Sequence, residues 1–393
     1  MFDLPAVQDA LRLMEIDGWL LYDFRGSNPL ARRILGLGDR HHTRRWFYFI
    51  PARGTPRRLV HRIEPYALDG LPGEGATYLR WQELEAGVAS LLAQARRVAM
   101  EYAPRNANPY VSRVDAGTVE LVRSLGVEVV SSGDLVQQFE AVWTDEQWAM
   151  HQAAAEHTRS AFDLAWCFIA EQISRRGTVR ETAVQKRLLE HFAEHQLVTD
   201  HPPICAVGPH SGDPHYAPVA GADAEIRAGD FVLIDLWAKL DRPGAVYSDL
   251  TQVAYVGTAI PERYAQVFRV VAAARDAAIA RVRRAFASGT PLQGWQVDEA
   301  ARQVIDAAGY GPYFVHRTGH SIGQEVHGNG AHMDNLETRE ERRILPRTCF
   351  SIEPGIYLPE FGVRSEVNVY IDAAGGVHVT GGPPQTEIIR VVP

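Results

Sequence analysis

Four acidic residues stand where a folded chain has little reason to place a charge. Asp235 interrupts the apolar run FVLIDLWA, Asp249 opens the next strand-like segment, Glu353 lies in SIEPG and Glu366 lies in VRSEVNV. A carboxylate buried in such a strand costs several kcal/mol unless a cation or hydrogen bonds compensate it. Two hairpins that each carry two of them therefore call for positive charge between them. His320, inside HRTGHSIGQEVHG, can add a neutral imidazole nitrogen. The resulting set, rich in oxygen with one nitrogen, suits Mn, Co or Zn better than a soft metal. Five ligands exceed what one catalytic ion takes. Two ions about 3.5 to 4 Å apart, bridged by carboxylates and a hydroxide, would use all five and generate a nucleophile at neutral pH.

Taken singly, each of these residues also reads as a structural one, and the order Asp, Asp, His, Glu, Glu is what favours a shared site. His316 and His320 have the i, i+4 spacing of a helical zinc face, but Gly319 and Gly323 disfavour helix there. A serine nucleophile lacks its G-x-S-x-G, and no cysteine sits beside the histidine-rich segment. Cys167, Cys205 and Cys349 are odd in number and widely spaced, against a disulfide framework or a thiolate zinc site, and are expected to be buried thiols.

The elements that must hold these residues follow from periodicity and punctuation. The chain to Val142 alternates helix-like and strand-like segments: an amphipathic stretch from Pro5 to Glu15, then WLLYDF, WFYFI and RRLVH about a Gly-Thr-Pro turn. A helix with Trp81, Leu84, Val88, Leu91 and Leu92 on one side follows, then VAMEY, a helix near Ala116 to Ser124, and VEVVS. At Thr144 the sequence TDEQ is a capping box that opens a long helix to about Ile173, and Gly177 breaks it. Thr178 with Glu181 suggests a second capping box, for a helix to about His195. Strands ICAVG, FVLIDLWAKL and TQVAYVG come next, and the order then recurs: helices Glu262 to Phe286 and Gln296 to Ala308, a Gly- and His-rich segment, and strands TCFSIEPGIYL and GVRSEVNVYI.

With 393 residues the chain suits two domains. A net charge of −8 and a pI near 6.0 give no electrostatic reason to expect nucleic acid or an anionic membrane as partner. Asp3, Asp9 and Glu15 exclude a signal-peptide pattern at the start, and no stretch is long and apolar enough to span a bilayer, so a cytoplasmic protein is expected.

The segments FVLIDLWAKL with SDLTQV, HRTGHSIGQEVHG, FSIEPGIY and VRSEVNV resemble the successive metal-site motifs of the M24 peptidase family, which includes methionine aminopeptidase, aminopeptidase P and prolidase. That resemblance implies an α+β pita-bread catalytic domain over residues 143–393, preceded by a smaller creatinase-like α/β domain over 1–142. It places Asp235, Asp249, His320, Glu353 and Glu366 on the five ligand positions for two divalent ions, Mn first and then Co or Zn. It places His215, from GPHSGDPHYAP, on the active-site histidine, with His210 where an Asn is usual, and His316 and His327 on the flanking histidines. Arg364 is expected to share a strand face with Glu366 and to keep that carboxylate ionised.

The implied reaction is hydrolysis of Xaa-Pro dipeptides by a hydroxide bridging the two ions, with Glu353 as general base and the histidines holding substrate and oxyanion. The implied substrate is a small peptide with proline second, and the implied assembly is a homodimer. Aminopeptidase P activity, a metal-free creatinase-like hydrolase and a non-catalytic pita-bread binding protein are the competing readings. The loop DRPGAV after Asp235 is longer than the family's usual spacing, and His327 is followed by Gly328 where an acid is common. Both departures bear on substrate preference rather than on the ligands.

Overall fold

In the run GWLLYD every residue is buried, as in a strand covered on both faces. Its side chains divide with period two. Trp19 and Leu21 join a cluster with Val7, Leu11, Leu30 and Leu135, whereas Leu20 and Tyr22 join one with Leu84, Val88, Val119 and Val122. Helices therefore cover both faces of the sheet that contains this strand. The structure, a computed structural model, describes residues 2–38 and 40–393. The chain divides into two compact units, Met1–Glu140 and Ala141–Pro393.

The first unit carries a six-stranded sheet in the order Glu74–Tyr78, Arg57–His61, Trp46–Pro51, Gly18–Asp23, Arg97–Met100, Glu128–Ser131. Only Trp46–Pro51 runs against its neighbours; the other pairings are parallel. Three elements here go beyond the sequence reading: helices Pro29–Ile34 and Gly133–Glu140 and the strand Glu74–Tyr78. Trp81 departs from it as well, being 63% exposed at the first position of helix Trp81–Leu92 instead of facing the core.

In the second unit the Thr144 capping box forms as expected. Gln147 N–H donates to the Thr144 hydroxyl at 3.1 Å, the Thr144 N–H donates to Gln147 Oε1 at 3.0 Å, and helix Asp145–Arg176 stops at left-handed Gly177, φ 79°. The second capping box does not form. Val179–Arg180 is drawn into a short ladder with Glu225–Ile226, the helix starts at Glu181, and the Glu181 side chain turns inward.

Strand Phe231–Leu240 pairs antiparallel with Ser248–Val256 and with Ile204–Val207. Val232, Ile234 and Leu236 pack with Phe162, Trp166 and Ile169 of the long helix. Phe231 and Leu233 face the other way, into a cluster with Val271, Ala278, Ile352 and Val369 from the later half. By the same alternation Asp235 and Trp237 lie on this second face.

The later hairpin differs from its expected form. Cys349–Ile352 pairs with Val367–Ile371 and Gly355–Tyr357 pairs with Gly362–Arg364, so both strands break at the same level. Glu353 and Glu366 lie in those opposed breaks rather than at strand positions. Pro354 supplies the reason on one side, since it has no N–H for the ladder. Of the cysteines only Cys205 and Cys349 are buried; Cys167, on the outer side of the long helix, is exposed, contrary to expectation. Among the described residues no helix is long and apolar enough to cross a membrane.

Candidate metal centre

Asp249, His320 and Glu366 are all buried, and each offers a ligand atom within 4.8 Å of the others. Three different segments bring them together. Asp249 comes from strand Ser248–Val256, Glu366 from the break before Val367–Ile371, and His320 from the loop entering Ser321–Ile322. Asn368 ties the first two segments: its Oδ1 accepts the Asp249 N–H at 3.0 Å and its amide donates to the Asp249 carbonyl. Gly319 allows the third approach, because a Cβ there would stand 2.0 Å from the Ser351 carbonyl oxygen.

The donor set fits a cation. His320 Nδ1 lies 3.1 Å from the Ser321 carbonyl, which can only accept, so Nδ1 carries the proton. Nε2 then presents a lone pair to Asp249 Oδ2 and Glu353 Oε1, each 3.3 Å away. Burial lowers the pKa of His320, so gaining a second proton is disfavoured. Glu366 Oε1 is buried without a hydrogen-bond partner. Burial first, and neighbouring carboxylates second, hold Asp249 and Glu366 well above the usual carboxylate range. An imidazole lone pair and buried carboxylates that converge on one point, one oxygen left unpartnered, are stabilised by a metal ion.

Asp235 and Glu353 border this trio. Asp235 receives the Arg364 guanidinium on Oδ2, while its Oδ1 lies 3.0 Å from the Thr251 hydroxyl. Glu353 accepts the Ser351 hydroxyl at 2.9 Å and is the least buried of the carboxylates, its side chain 16% exposed. Thr251 was not singled out from sequence. It sits directly across the ladder from Asp235, accepts Arg364 Nε at 3.1 Å, and has Glu366 Oε2 at 2.8 Å. Its signal was legible in the alternation of SDLT, which puts it on the face of Asp249.

Arg364 corrects an expectation. It ends strand Gly362–Arg364, Glu366 lies beyond that strand in the break, and the guanidinium turns to Asp235 and to the Tyr357 hydroxyl, 2.8 Å from Nη1. Arg364 still lowers the pKa of Glu366, but burial first, then Asp249, Glu353 and Asp235, outweigh it and leave that pKa raised.

The four histidines separate into distinct environments. His316 Nδ1 points at the Arg317 carbonyl, 2.7 Å away, so Nε2 accepts the Tyr357 hydroxyl at 2.7 Å. Burial and then Arg364 push its pKa down to about 3. The His327 ring lies 4.3 Å from that of His320, and this second imidazole, whose protonation would compete with its own, lowers the pKa of His327 together with burial, to about 2. Both are neutral at physiological pH. His215 is exposed, and it reaches the group through its electrostatic effect on His327. His210 lies at the far end of this segment and hydrogen-bonds Glu181, at 3.0 Å from Oε1.

Glu181, read from sequence as a cap, is an anchor. Its buried carboxylate accepts the Val207 and Ala224 N–H groups, both at 2.8 Å, and the Tyr216 hydroxyl at 2.6 Å. It thereby fixes both ends of the loop that carries His215. Trp237, paired across the ladder with Asp249, donates its indole N–H to Asp200 Oδ1 at 2.7 Å.

One continuous strand pair carrying two acids, a second pair broken at two more, two successive helix pairs around them and a buried Asp, His, Glu trio define a metallopeptidase of the pita-bread type. Residues 149–373 match the model of metallopeptidase family M24, and the chain belongs to that family. A protein of Mycobacterium bovis named "Probable dipeptidase PepE" is 35% identical over 189 residues, 48% of this chain and 46% of that one. The solved dipeptidase PepE from Mycobacterium ulcerans shares the fold at a TM-score of 0.70 and 24% identity, covering 99% of this chain and 97% of that one. The Xaa-Pro dipeptidase from Bacillus anthracis does so at 0.61 and 21%, covering 98% of each.

Proposed function

We propose that the protein is an Xaa-Pro dipeptidase that acts on small peptides with proline second, using two divalent metal ions. The observation that carries this reading is the His320 lone pair facing two carboxylates beside the unpartnered Glu366 oxygen, in a chain of family M24. Bound among Asp235, Asp249, His320, Glu353 and Glu366, divalent ions supply Lewis acidity toward the scissile carbonyl and acidify the attacking water.

The chain's own residues do the rest. Glu353 is the general base: it borders the cluster, keeps some solvent access, and has one oxygen fixed by the Ser351 hydroxyl. It passes the proton to the departing proline nitrogen. His327, neutral and beside His320, donates to the developing oxyanion. His316 is locked as a single tautomer by the Arg317 carbonyl, is held in place by Tyr357, and presents one fixed edge of the substrate slot. His215, at the exposed side, meets the substrate carboxylate. Arg364 holds Asp235 in place while bracing Tyr357.

Hydrolysis of Ala-Pro and Ala-Pro-Pro by protein stripped with chelator and resupplied with Mn, Co or Zn tests this reading. Ala-Pro is expected to be cleaved faster, with Mn the most effective ion. Equal or faster cleavage of the tripeptide would replace the dipeptidase with an aminopeptidase P activity. Cleavage of neither peptide with any ion would overturn the reading altogether.

A further inference from the structure

The N-terminal unit contains a crevice that the peptidase chemistry does not use. A cavity of about 1130 Å³ is lined by Tyr22, Arg25, Arg44, Arg45, His61 and Trp81, among others. Its place in the fold is specific. Tyr22 is in the last turn of strand Gly18–Asp23, His61 ends Arg57–His61, and Tyr78, also in the lining, ends Glu74–Tyr78. These three strands run the same way, so the crevice opens at their carboxyl ends. The chain builds the sheet outward from Gly18–Asp23 to one edge, then crosses through helix Trp81–Leu92 to resume on the other side at Arg97–Met100. In open α/β sheets ligand-binding crevices lie beyond the carboxyl ends of the strands, and this one does so on the side of helices Trp81–Leu92 and Ala116–Ser124.

The lining has the chemistry of an anion site. The Arg44 guanidinium donates to the carbonyl and hydroxyl of Thr43, only its backbone N–H reaching the Glu64 carboxylate at 3.1 Å, and among the described residues no ion pair links the guanidinium of Arg25, Arg44 or Arg45 to a carboxylate. Arg25 is held at φ 58°, a conformation that non-glycine residues seldom adopt. Arg25 also lines an adjoining cavity of about 230 Å³ with Arg32, Arg40 and His41. Two acids also line the larger cavity, Glu85 and Asp115, the latter capping helix Ala116–Ser124 through the Thr118 N–H at 2.9 Å, so the three guanidinium groups outnumber the carboxylates. His61 Nδ1 accepts the Ile63 N–H at 3.1 Å, so its Nε2–H is a donor. Such a concentration of cations in a chain of net charge −8 is local, not a property of the whole surface.

The same crevice has ring faces. Trp81 is 63% and Phe24 42% exposed, both in its lining, and Tyr78 meets His61 edge to face at 4.9 Å. Guanidinium groups pair with phosphate oxygens, and exposed aromatic faces stack on planar rings. We propose that this crevice binds a small phosphorylated ring compound, of the chemical class of a mononucleotide.

Isothermal titration of the full chain with AMP, inorganic phosphate and adenosine tests the proposal. AMP is expected to bind at one site per chain, with phosphate and adenosine each at least about tenfold weaker because each makes only half of the contacts. Arg44→Ala with Arg45→Ala is expected to weaken AMP by roughly tenfold or more, and Trp81→Ala to bring its affinity down toward that of phosphate. All three side chains are exposed, and an unchanged melting temperature checks that the variants fold. No saturable binding of AMP at about 1 mM, phosphate binding as tightly as AMP, or undiminished binding by the double variant would each overturn it.

Discussion

His316 Nε2 lies 2.7 Å from the Tyr357 hydroxyl, which in turn accepts Arg364 Nη1 at 2.8 Å, and the same guanidinium grips Asp235. One continuous chain of hydrogen bonds thus joins His316 to Asp235, a carboxylate of the candidate metal centre, and its donors and acceptors are fixed at every link. Tyr357→Phe removes the middle link without opening a cavity. The variant is expected to retain metal, measured by elemental analysis after dialysis, and to lose about ten- to a hundredfold in kcat with a smaller change in KM. Unchanged kcat would remove Tyr357 from the site.

Asp249 and Glu366 have folded-state pKa values raised by burial first and by repulsion from neighbouring carboxylates second. For a raised group the stabilising contribution is present below the unfolded pKa and is lost as pH rises through the folded one. The metal-free protein therefore carries this repulsion at neutral pH. Glu366→Gln is expected to abolish activity yet stabilise the metal-free form by about 1 to 3 kcal/mol at neutral pH, read by urea unfolding. Divalent metal should raise the melting temperature of the natural protein more at pH 7 than below the carboxyl range, about pH 4.

His151 is buried between the Tyr247 carbonyl, 2.8 Å from Nδ1, and the Thr380 hydroxyl, 2.7 Å from Nε2. Burial depresses its pKa to about 4. A depressed histidine is stabilising above its unfolded pKa, about 6.5, and that contribution is lost as pH falls toward the folded value. Unfolding free energy is expected to drop by up to about 3 kcal/mol between pH 6.5 and 4 from this residue. His151→Gln should flatten that slope in urea titrations across the range while lowering stability at pH 7.

Gly319 places His320 against the second strand pair, with no room for a methyl group beside the Ser351 carbonyl. Gly319→Ala is expected to cost about 2 kcal/mol or more in stability and to weaken metal binding by at least roughly tenfold, because His320 moves with its neighbour. Metal affinity equal to that of the natural chain would show that the approach is not needed to form the centre.

How much of this was legible beforehand depended on range. The Thr144 capping box and the Gly177 stop could be read because each involves groups only a few residues apart. So could the long strand Phe231–Leu240, whose apolar run leaves few alternatives. Glu181 was misread for the complementary reason: its partners Val207, Tyr216 and Ala224 are distant in sequence, and a local capping pattern hid them.

The centre divides in the same way. Residue order is enough to show that acids occur where burial penalises them, and that a histidine-rich, glycine-bearing segment lies between them. Tertiary structure alone decided that Glu353 and Glu366 leave the ladder at one shared break, that Thr251 stands between Asp235 and Glu366, and that Arg364 chooses Asp235 over Glu366. Residue type and spacing fix whether a charge needs compensation. Which partner compensates it depends on distances of a few ångströms across strands, and only the packed register sets those.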